Sequence, residues 1–552
     1  MIFINNDTTK KRDVGIIPFI LFLVSFLYLC IWTVPSNING DALIHVSNIR
    51  EIAETGDILS SYPHTIMDVN DGERIKYPIT YPQIFYTVLT PAYMIGGENM
   101  LKLFSPLCGA LIAVFVYLLV RPINKHMAIA AGFAAMMINT SRIIMTPLFE
   151  EYLLVAAVIS IYFYYLFVST MKWKFLVLTA LFLGLVASTK QQGLIFFGVI
   201  VLHAVALALY PLVKKDSYNY IKPAIVLVLL SMIVIAGPVY KQIEQNGTIA
   251  FVPGGQSSSI PFLDSKYPEN AESLDEIADI VSWPEYNSII DVMGIYFLHP
   301  TTYGSSLTDN PPLFYPFFLI MLGLFVAGII FMWRKKRILL GILLPIFLAE
   351  MLSAYIVGTP VRAYQVISLT IMAVFLIIGI WYAAELASSR FPRRITISSI
   401  LLALLITVIA CHEYRYNDSG RCDDIHVAAY EEIGDYIEEN ASSDALLIGT
   451  TEGFRHYSLR GRDMIWINEG GGAKIPLIFR TTDEEESLSW LKYYDIDYIF
   501  VETRQIGHGG YWDYIPEEGL MKYIDESPHF KRAHSVIMSD DDFILYKVIY
   551  DD

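Results

Sequence analysis

The sequence is poor in cysteine. It has four cysteines, and none of them forms part of a Cys-x-x-Cys pair. We therefore expect neither a thiolate metal site nor a disulfide framework, because both need several cysteines at close, regular spacing. A bridge would have to join Cys411 to Cys422, and we expect two unpaired thiols there instead. Internal repeats and low-complexity stretches are also absent from the sequence.

Positive charge is scarce as well, and its distribution is uneven. The formal net charge is −16, and the stretch from His412 onward holds about thirty acidic residues against about thirteen basic ones. A surface that binds nucleic acid must neutralise phosphates with lysine and arginine. Outside short turns between apolar segments the sequence has no polybasic stretch, so we exclude nucleic acid as a partner.

The chain is rich in apolar residues. They make up 54% of the chain, and the mean hydropathy is +0.46. They come in blocks of roughly 17 to 23 residues, the length that a helix needs to cross a bilayer. The first block follows Lys10, Lys11 and Arg12 without a small-residue cleavage site, so we interpret it as a retained span. The blocks are 14–35, 100–120, 126–144, 152–170, 175–189, 193–213, 222–240, 312–333, 338–357, 365–385 and 395–411.

The basic turns between these blocks predict the orientation of about eleven spans. Residues 82–97 are apolar too, but counting them as a span would put the following basic turns outside. They contain two prolines and follow Tyr81, and we interpret them as a helix in the membrane interface. Six basic turns then face the cytoplasm: Lys10–Arg12, Arg121/Lys125, Lys172/Lys174, Lys214/Lys215, Arg334–Arg337 and Arg390/Arg393/Arg394.

The opposite, extracytoplasmic face receives loop one (36–81), a second large loop (242–311) and the C-terminal residues 412–552. The C-terminal residues alternate between helix and strand patterns. Helices are predicted over 430–440 and 484–494, and strands over 445–450, 498–501 and 543–550. The fold class is thus a polytopic α-helical membrane domain (1–411) followed by a small extracytoplasmic α/β domain.

Loop one begins with a pair of residues suited to chemistry. Asp41 and His45 are four residues apart, so on a helix they share a face. Asp41 is a candidate general base, and together with His45 it is a candidate ligand pair for a divalent metal. The alternative is that Asp41 or Asn39 only caps the helix.

Polar residues in three short outer turns complete the candidate site. Lys190 and Gln191 interrupt two apolar blocks, and a lysine there either neutralises a phosphate or anchors its helix at the membrane edge. Cations and carboxylates that converge beside apolar helices would suit a lipid-linked phosphate. The other two turns contribute Arg142 with Glu150 and Glu151, and Arg362 with Tyr364.

Several segments resemble the membrane glycosyltransferases of the GT-C fold, which include the protein O-mannosyltransferases, the aminoarabinose transferases of lipid A and glycosyltransferase family 39. GDALIHVSNIREIAETGDI and KYPITYPQIFYTVLTPAYMIGG resemble their loop one and interfacial helix, and GLVASTKQQGLIFF and TPVRAYQVISLTIMAVFLIIGI resemble two later segments. IGDYIEENASSDALLIGT and YYDIDYIFVE are similar to the extracytoplasmic domain of archaeal and bacterial members.

This resemblance implies transfer of a sugar from a polyprenyl-phosphate or dolichyl-phosphate carrier to a protein, lipid or glycan acceptor, with inversion at the anomeric carbon. Asp41 would be the catalytic aspartate, and Lys190, Arg362 and Arg142 would hold the carrier phosphate. His45, Glu150, Glu151, Tyr364 and Gln191 would support the site; a divalent metal stays open. The resemblance also implies a prokaryotic, archaeal plasma membrane. Departures from the pattern are Ala42, where many relatives have a second acidic residue, and Tyr81-Pro82-Gln83 in place of Pro-Pro-Leu.

Two rival interpretations stay open. The oligosaccharyltransferase catalytic subunit shares the fold, and Tyr511–Tyr514 (YWDY) is similar to its Trp-Trp-Asp-Tyr-Gly motif, but Ile515 follows and the motif lies late in the chain. A transporter or flippase would carry charges near the bilayer midplane. Most charges here lie at the ends of apolar blocks, and Glu350 is the exception.

Overall fold

The fold is seen in a computed structural model. It describes residues 15–35, 38, 41–57, 59, 61–70, 73–78, 84–139, 149–189, 191–214, 220–246, 314–357, 366–388, 424–449, 452–466, 478–479, 481–506, 515, 517–538 and 541–550. The chain divides into two compact units. The helical unit comprises Met1–Ser36, Ile95–Lys241 and Trp283–Gly420, and the mixed unit comprises Asn37–Met94, Gln242–Ser282 and Arg421–Asp552.

The helices follow the apolar blocks closely in the first four hundred residues. In chain order they are α1 (Ile17–Thr33), α2 (Asp41–Thr55), α3 (Ile84–Lys102), α4 (Phe104–Val120), α5 (Lys125–Met137), α6 (Phe149–Thr170), α7 (Trp173–Ala187), α8 (Gln191–Lys214), α9 (Ile221–Asn246), α10 (Phe314–Lys335), α11 (Arg337–Val357), α12 (Val366–Ser388), α13 (Asp424–Asn440), α14 (Glu452–Tyr457), α15 (Glu484–Tyr494) and α16 (Leu520–Tyr523). Each predicted block that falls within the described residues is a helix; block 395–411 falls outside them, and so does the Cys411–Cys422 pair.

Several of these helices are apolar enough to cross a membrane. By length and composition alone, three qualify: Glu150–Thr170, Gln192–Leu209 and Val366–Leu386. α3 and α4 qualify together but are bent by 74° at the break between them. Ile17–Ile31, Trp173–Ala187 and Ile221–Gly237 are shorter apolar helices. The total of about eleven spans, their orientation and the interfacial position of 82–97 stay predictions.

Close backbone approach between α10 and α12 shapes part of the helical unit. Gly328 of α10 lies so near the Phe375 carbonyl of α12 that a Cβ there would collide with it. Gly379 of α12 meets the Leu324 carbonyl of α10 in the same way. Small residues that let two helix backbones touch are typical of helix pairs in membranes.

The strands form one seven-stranded sheet within the mixed unit. They are β1 (Ser61–Asn70), β2 (Glu73–Pro78), β3 (Leu446–Gly449), β4 (Asp463–Trp466), β5 (Tyr498–Glu502), β6 (Phe530–Ile537) and β7 (Asp542–Val548). The strand order is β2-β1-β4-β3-β5-β7-β6. β1, β4, β3 and β5 run parallel to one another, and the pairs β1–β2, β5–β7 and β6–β7 are antiparallel. The first two strands come from loop one and the other five from the C-terminal residues.

Both faces of this mixed sheet are covered, as its parallel central strands require. Alternate residues of each central strand point to opposite sides: Leu446 and Ile448 join one apolar cluster, and Leu447 joins the other. Helix α15 packs on the first cluster through Leu491, and α13 packs on the second through Ile433. The helices and strands predicted for the C-terminal residues are all present at these positions, whereas β1, β2, β4 and β6 were not predicted.

Candidate active site

The predicted catalytic aspartate lies at the start of the loop-one helix α2. This helix begins at Asp41, and Ala42, Val46 and Ile49 along it have no exposed surface. Their spacing of three and four residues is that of a helix packed along one side. His45 follows Asp41 by one turn, as the sequence predicts. The side chain of Asp41 lies outside the described residues, so the choice between a cap and a base is not decided by its contacts.

His45 occupies a buried aromatic pocket in the mixed unit. Its side chain is 4% exposed, its Nδ1 lies 3.3 Å from the Tyr86 hydroxyl, and the edge of the Phe85 ring packs against it at 5.7 Å. Burial raises the pKa of Tyr86 well above its ordinary value, and the neighbouring Tyr62 adds to this. The phenol therefore stays protonated, and the direction of its hydrogen bond with Nδ1 depends on the tautomer of His45.

An arginine from the C-terminal residues completes this pocket. Arg455 of α14 is 7% exposed, and its guanidinium lies 5.3 Å from the centroid of the Tyr62 ring. Its charge, like the amide of the buried Asn48, lowers the pKa of Tyr86, but by less than burial raises it. Sequence reasoning missed Arg455, because a single arginine in EGFRHY carries no motif and lies about four hundred residues from loop one.

The same short helix also anchors α2. Ser47 Oγ and Arg50 Nη2 lie 2.9 and 3.2 Å from His456 Nδ1. The Tyr457 hydroxyl donates a hydrogen bond of 3.5 Å to the carbonyl of Ile38, just before α2. Hydrogen bonds on two sides of α2 fix the helix that begins at Asp41 against the C-terminal residues.

The predicted carboxylates of the outer turn that contains Arg142 lie in the helical unit. Glu150 and Glu151 stand in the first turn of α6, where the positive end of the helix dipole favours negative charge. They are 6% and 2% exposed. The Ser105 hydroxyl of α4 donates a hydrogen bond to Glu151 Oε2. Both residues are therefore buried among helices, and Glu151 ties α6 to α4.

Glu350, the one charge that the sequence places away from a span end, has a structural partner. It is 1% exposed on α11, and its Oε2 accepts a hydrogen bond of 2.6 Å from the backbone N–H of Ser368. Ser368 lies in the first turn of α12, where backbone N–H groups lack partners within the helix. One oxygen of Glu350 therefore satisfies a helix terminus, which gives this carboxylate a structural role.

The predicted phosphate-binding residues are not described. Lys190, Arg142, Arg362 and Tyr364 lie outside the described residues, and so does the side chain of Gln191, the first residue of α8. The phosphate site therefore stays a prediction. The motif-like segment at 511–514 also lies outside.

Within the described residues, one group of side chains could hold a metal ion. It consists of His426, Glu502 and Asp541, whose ligand atoms all lie within 4.8 Å of one another. These residues belong to the mixed unit and were not predicted from the sequence. The predicted Asp41–His45 metal pair stays a prediction, because the Asp41 carboxylate is not described.

The chain matches one protein-family model. Residues 80–251 match the family of dolichyl-phosphate-mannose-protein mannosyltransferases. The matched segment contains Arg142, Glu150, Glu151 and Lys190 but begins after Asp41, whose role therefore rests on the resemblance of loop one. No curated protein matches the chain.

Solved structures share the fold. ArnT from Cupriavidus metallidurans bound to undecaprenyl phosphate has a TM-score of 0.57 and 13% identity, over 97% of this chain and 98% of that one. The archaeal oligosaccharyltransferase AglB from Archaeoglobus fulgidus, in complex with an inhibitory peptide and a dolichol-phosphate, has a TM-score of 0.56 and 12% identity, over 88% of this chain and 69% of that one. At these identities the likeness shows the fold alone. Residues 80–251 thus match a mannosyltransferase family, and the chain as a whole has the fold of these GT-C membrane glycosyltransferases.

Proposed function

We propose that the chain transfers a sugar from a polyprenyl-phosphate or dolichyl-phosphate carrier to an acceptor on the extracytoplasmic face, with Asp41 as the catalytic carboxylate. The main support for this proposal is helix α2 of loop one, in a chain with the GT-C fold. This helix begins at Asp41, and polar contacts hold it in place. ArnT was solved with a polyprenyl phosphate and AglB with a dolichol-phosphate. A lipid-linked phosphate as the carrier is the chemistry that these structures and the matched family have in common.

The proposed mechanism is direct displacement with inversion. Asp41 accepts the proton of the acceptor hydroxyl, or orients that hydroxyl, as the oxygen attacks the anomeric carbon. The bond from this carbon to the phosphate oxygen breaks, and the carrier phosphate leaves with the electron pair. Lys190, Arg362 and Arg142 stabilise the charge that develops on it, since fixed cations act best where charge appears in the transition state. His45, Glu150, Glu151, Tyr364 and Gln191 support this arrangement, with or without a divalent metal.

The proposal includes an orientation in the membrane. The N-terminus and the basic turns face the cytoplasm, and loop one and the C-terminal residues face outward. The carrier lipid would lie beside the apolar helices, and the membrane would be a prokaryotic, archaeal plasma membrane. Reagents that label lysine only on the outer side should then modify the C-terminal residues of intact cells and spare the cytoplasmic turns.

The decisive experiment measures sugar transfer by membranes that contain the wild type or Asp41→Asn. Both are supplied with a panel of radiolabelled polyprenyl-phosphate sugars. Asparagine keeps the shape and capping ability of aspartate but lacks its charge and basicity. We expect a loss of at least about 100-fold, the lower end of general-base contributions. The matched control is Asp57→Asn, an exposed residue two positions after α2, which should transfer at the wild-type rate.

Either of two outcomes would contradict the proposal. Wild-type rates from Asp41→Asn would make Asp41 a helix cap. Failure of both proteins to use any donor would remove the sugar-transfer assignment itself. Equal amounts of folded protein, measured by size-exclusion chromatography, are required for the comparison.

A second candidate is transfer of a whole glycan to a peptide, because AglB shares the fold over most of this chain. ArnT matches nearly the whole of both chains, which favours the single-sugar donor. A lipid-linked oligosaccharide and an Asn-x-Thr peptide, added to the same assay, distinguish the two. Glycosylated peptide without transfer from single-sugar donors would favour the second candidate.

A further inference from the structure

Three potential metal ligands that do not belong to α2 converge in the mixed unit. His426 lies in the first turn of α13, Glu502 is the last residue of β5, and Asp541 directly precedes β7. Strand pairing explains their approach: Glu502 is opposite Phe543 in the β5–β7 register, two residues from Asp541. The His426 ring packs on the Phe543 ring at 5.5 Å. The topology therefore brings one imidazole and two carboxylates to the end of one strand pair.

These groups are shielded from water. Glu502 has no exposed surface, and the side chains of His426 and Asp541 are 15% and 11% exposed. His426 Nε2 lies 3.5 Å from Asp541 Oδ2. Two carboxylates at such close range, with little solvent around them, need a positive charge between them. A protonated His426 supplies one positive charge, whereas a divalent metal ion supplies two.

Neighbouring side chains hold the Glu502 carboxylate in place. The Tyr430 hydroxyl and Gln505 Nε2 both donate hydrogen bonds to its Oε2, at 3.0 and 3.2 Å. Hydrogen bonds of this kind orient ligating carboxylates in metal sites and raise metal affinity. The three ligand atoms lie within 4.8 Å of one another, and two ligands at a tetrahedral angle on a zinc ion are about 3.4 Å apart. A small movement of side chains would therefore close the group around one ion.

We propose that His426, Glu502 and Asp541 form a divalent metal site, suited to Zn²⁺ or Mn²⁺. An imidazole nitrogen favours transition metals over Ca²⁺ and Mg²⁺, and two carboxylates suit Zn²⁺ and Mn²⁺ alike. The site joins α13, β5 and the residue before β7, so the ion stabilises the C-terminal residues. This site is independent of the proposed function and of the predicted Asp41–His45 pair.

The test uses the full chain, purified in detergent without a histidine tag and stripped with a chelator. After dialysis against Zn²⁺ or Mn²⁺, bound metal is measured by mass spectrometry, and the unfolding temperature is recorded with and without each ion. We expect one ion per chain and a rise in unfolding temperature. Ca²⁺ and Mg²⁺ at equal concentration should bind at least about tenfold more weakly.

Variants show whether the bound ion occupies this site. His426→Gln and Asp541→Asn should each weaken binding by more than about tenfold, and the metal-dependent rise in unfolding temperature should disappear. Asp541→Asn keeps the size of the side chain, so its unfolding temperature in metal-free buffer reports whether folding is intact. The control is His534→Gln, because His534 pairs with Glu432 at 3.3 Å on a more exposed surface and should not affect binding. No stoichiometric Zn²⁺ or Mn²⁺ in the wild type, or undiminished binding by folded Asp541→Asn, would overturn the proposal.

Discussion

In loop one, the sequence gives the spacing of Asp41 and His45, and the structure shows which residues surround His45. The four-residue spacing of Asp41 and His45 predicts one helix face, and α2 contains both residues. The sequence pattern does not predict the pocket around His45, because Tyr86 lies on another helix and Arg455 lies about four hundred residues further along the chain. His45 is thus a buried, hydrogen-bonded residue whose position depends on three segments.

Tyr86→Phe tests this pocket. The substitution removes the hydroxyl 3.3 Å from His45 Nδ1 and leaves a buried ring nitrogen without that partner. We expect a loss of about 1–3 kcal/mol in the free energy of unfolding, measured by denaturant unfolding of the protein in detergent. Tyr493→Phe, at a residue that is 48% exposed, is the control and should change little. Equal stability of the two variants would show that the His45–Tyr86 contact contributes nothing.

Hydropathy predicts the helices of this chain well, but it does not predict which helices contact one another. The predicted block 365–385 becomes α12, which begins at Val366. Glu350 of α11 satisfies its first turn, and the glycine pair Gly328 and Gly379 sets its distance from α10. An apolar run predicts a helix of the right length, but the choice of neighbour depends on a few small or polar residues within the run.

Two glycines of α10 make a matched test of this packing. A methyl group at Gly328 would collide with the Phe375 carbonyl, whereas a methyl group at Gly323 would meet no atom within 4 Å. We expect Gly328→Ala to destabilise the protein by about 1–3 kcal/mol, the usual cost of overpacking, and to lower its unfolding temperature. Gly323→Ala should not lower that temperature, because alanine favours the helix and its methyl group meets no neighbour. Similar values for both variants would exclude close packing of α10 on α12 at Gly328.

At the scale of the whole molecule, loop one and the C-terminal residues belong to one unit. β1 pairs with β4 in parallel, and Arg74 of β2 donates a hydrogen bond of 3.3 Å to Asp463, 389 residues along the chain. His64 Nδ1 lies 3.5 Å from the other oxygen of the same carboxylate. The C-terminal residues therefore hold loop one, including the helix that carries Asp41. The boundary that the sequence predicts, between residues 411 and 412, separates loop one from the C-terminal residues with which it associates.

Asp463→Asn tests the junction between loop one and the C-terminal residues. The hydrogen bond with His64, followed by the Arg74 guanidinium, lowers the pKa of Asp463 despite partial burial. Because the pKa is lower in the folded state than in the unfolded state, where it is about 3.9, the ionised carboxylate stabilises the fold at pH values above about 3.9. This stabilisation is lost as the pH falls through the folded-state pKa. We expect Asp463→Asn to cost about 1 kcal/mol at pH 7 and to behave like the wild type once the pH has fallen below the folded-state pKa of Asp463.

Hydrogen–deuterium exchange of β1 and β2 amides is the measurement. Exchange should be faster in Asp463→Asn than in the wild type at pH 7. Asp525→Asn, which removes the partner of Arg532 on an exposed surface, should not change exchange in β1 and β2. Identical protection of these strands in all three proteins would contradict a role for Asp463.

The sequence by itself determined the features that depend on local pattern. The length of the apolar blocks predicted the helices of the first four hundred residues, and strand and helix periodicities predicted α13, α15, β3, β5 and β7. In loop one the four-residue spacing implied that Asp41 and His45 share a face on a helix, and α2 contains both residues. These inferences succeed because hydropathy and backbone preference act over one or two turns of chain.

Only the tertiary structure decided which distant segments meet. The hairpin of β1 and β2 has weak strand patterning, and its place in the sheet depends on pairing with β4 across nearly four hundred residues. Arg455 enters the His45 pocket, and His426, Glu502 and Asp541 converge, for the same reason: strand register and helix packing bring their backbones together. Such contacts are set by the shape and burial of the whole unit, which no local window of sequence contains.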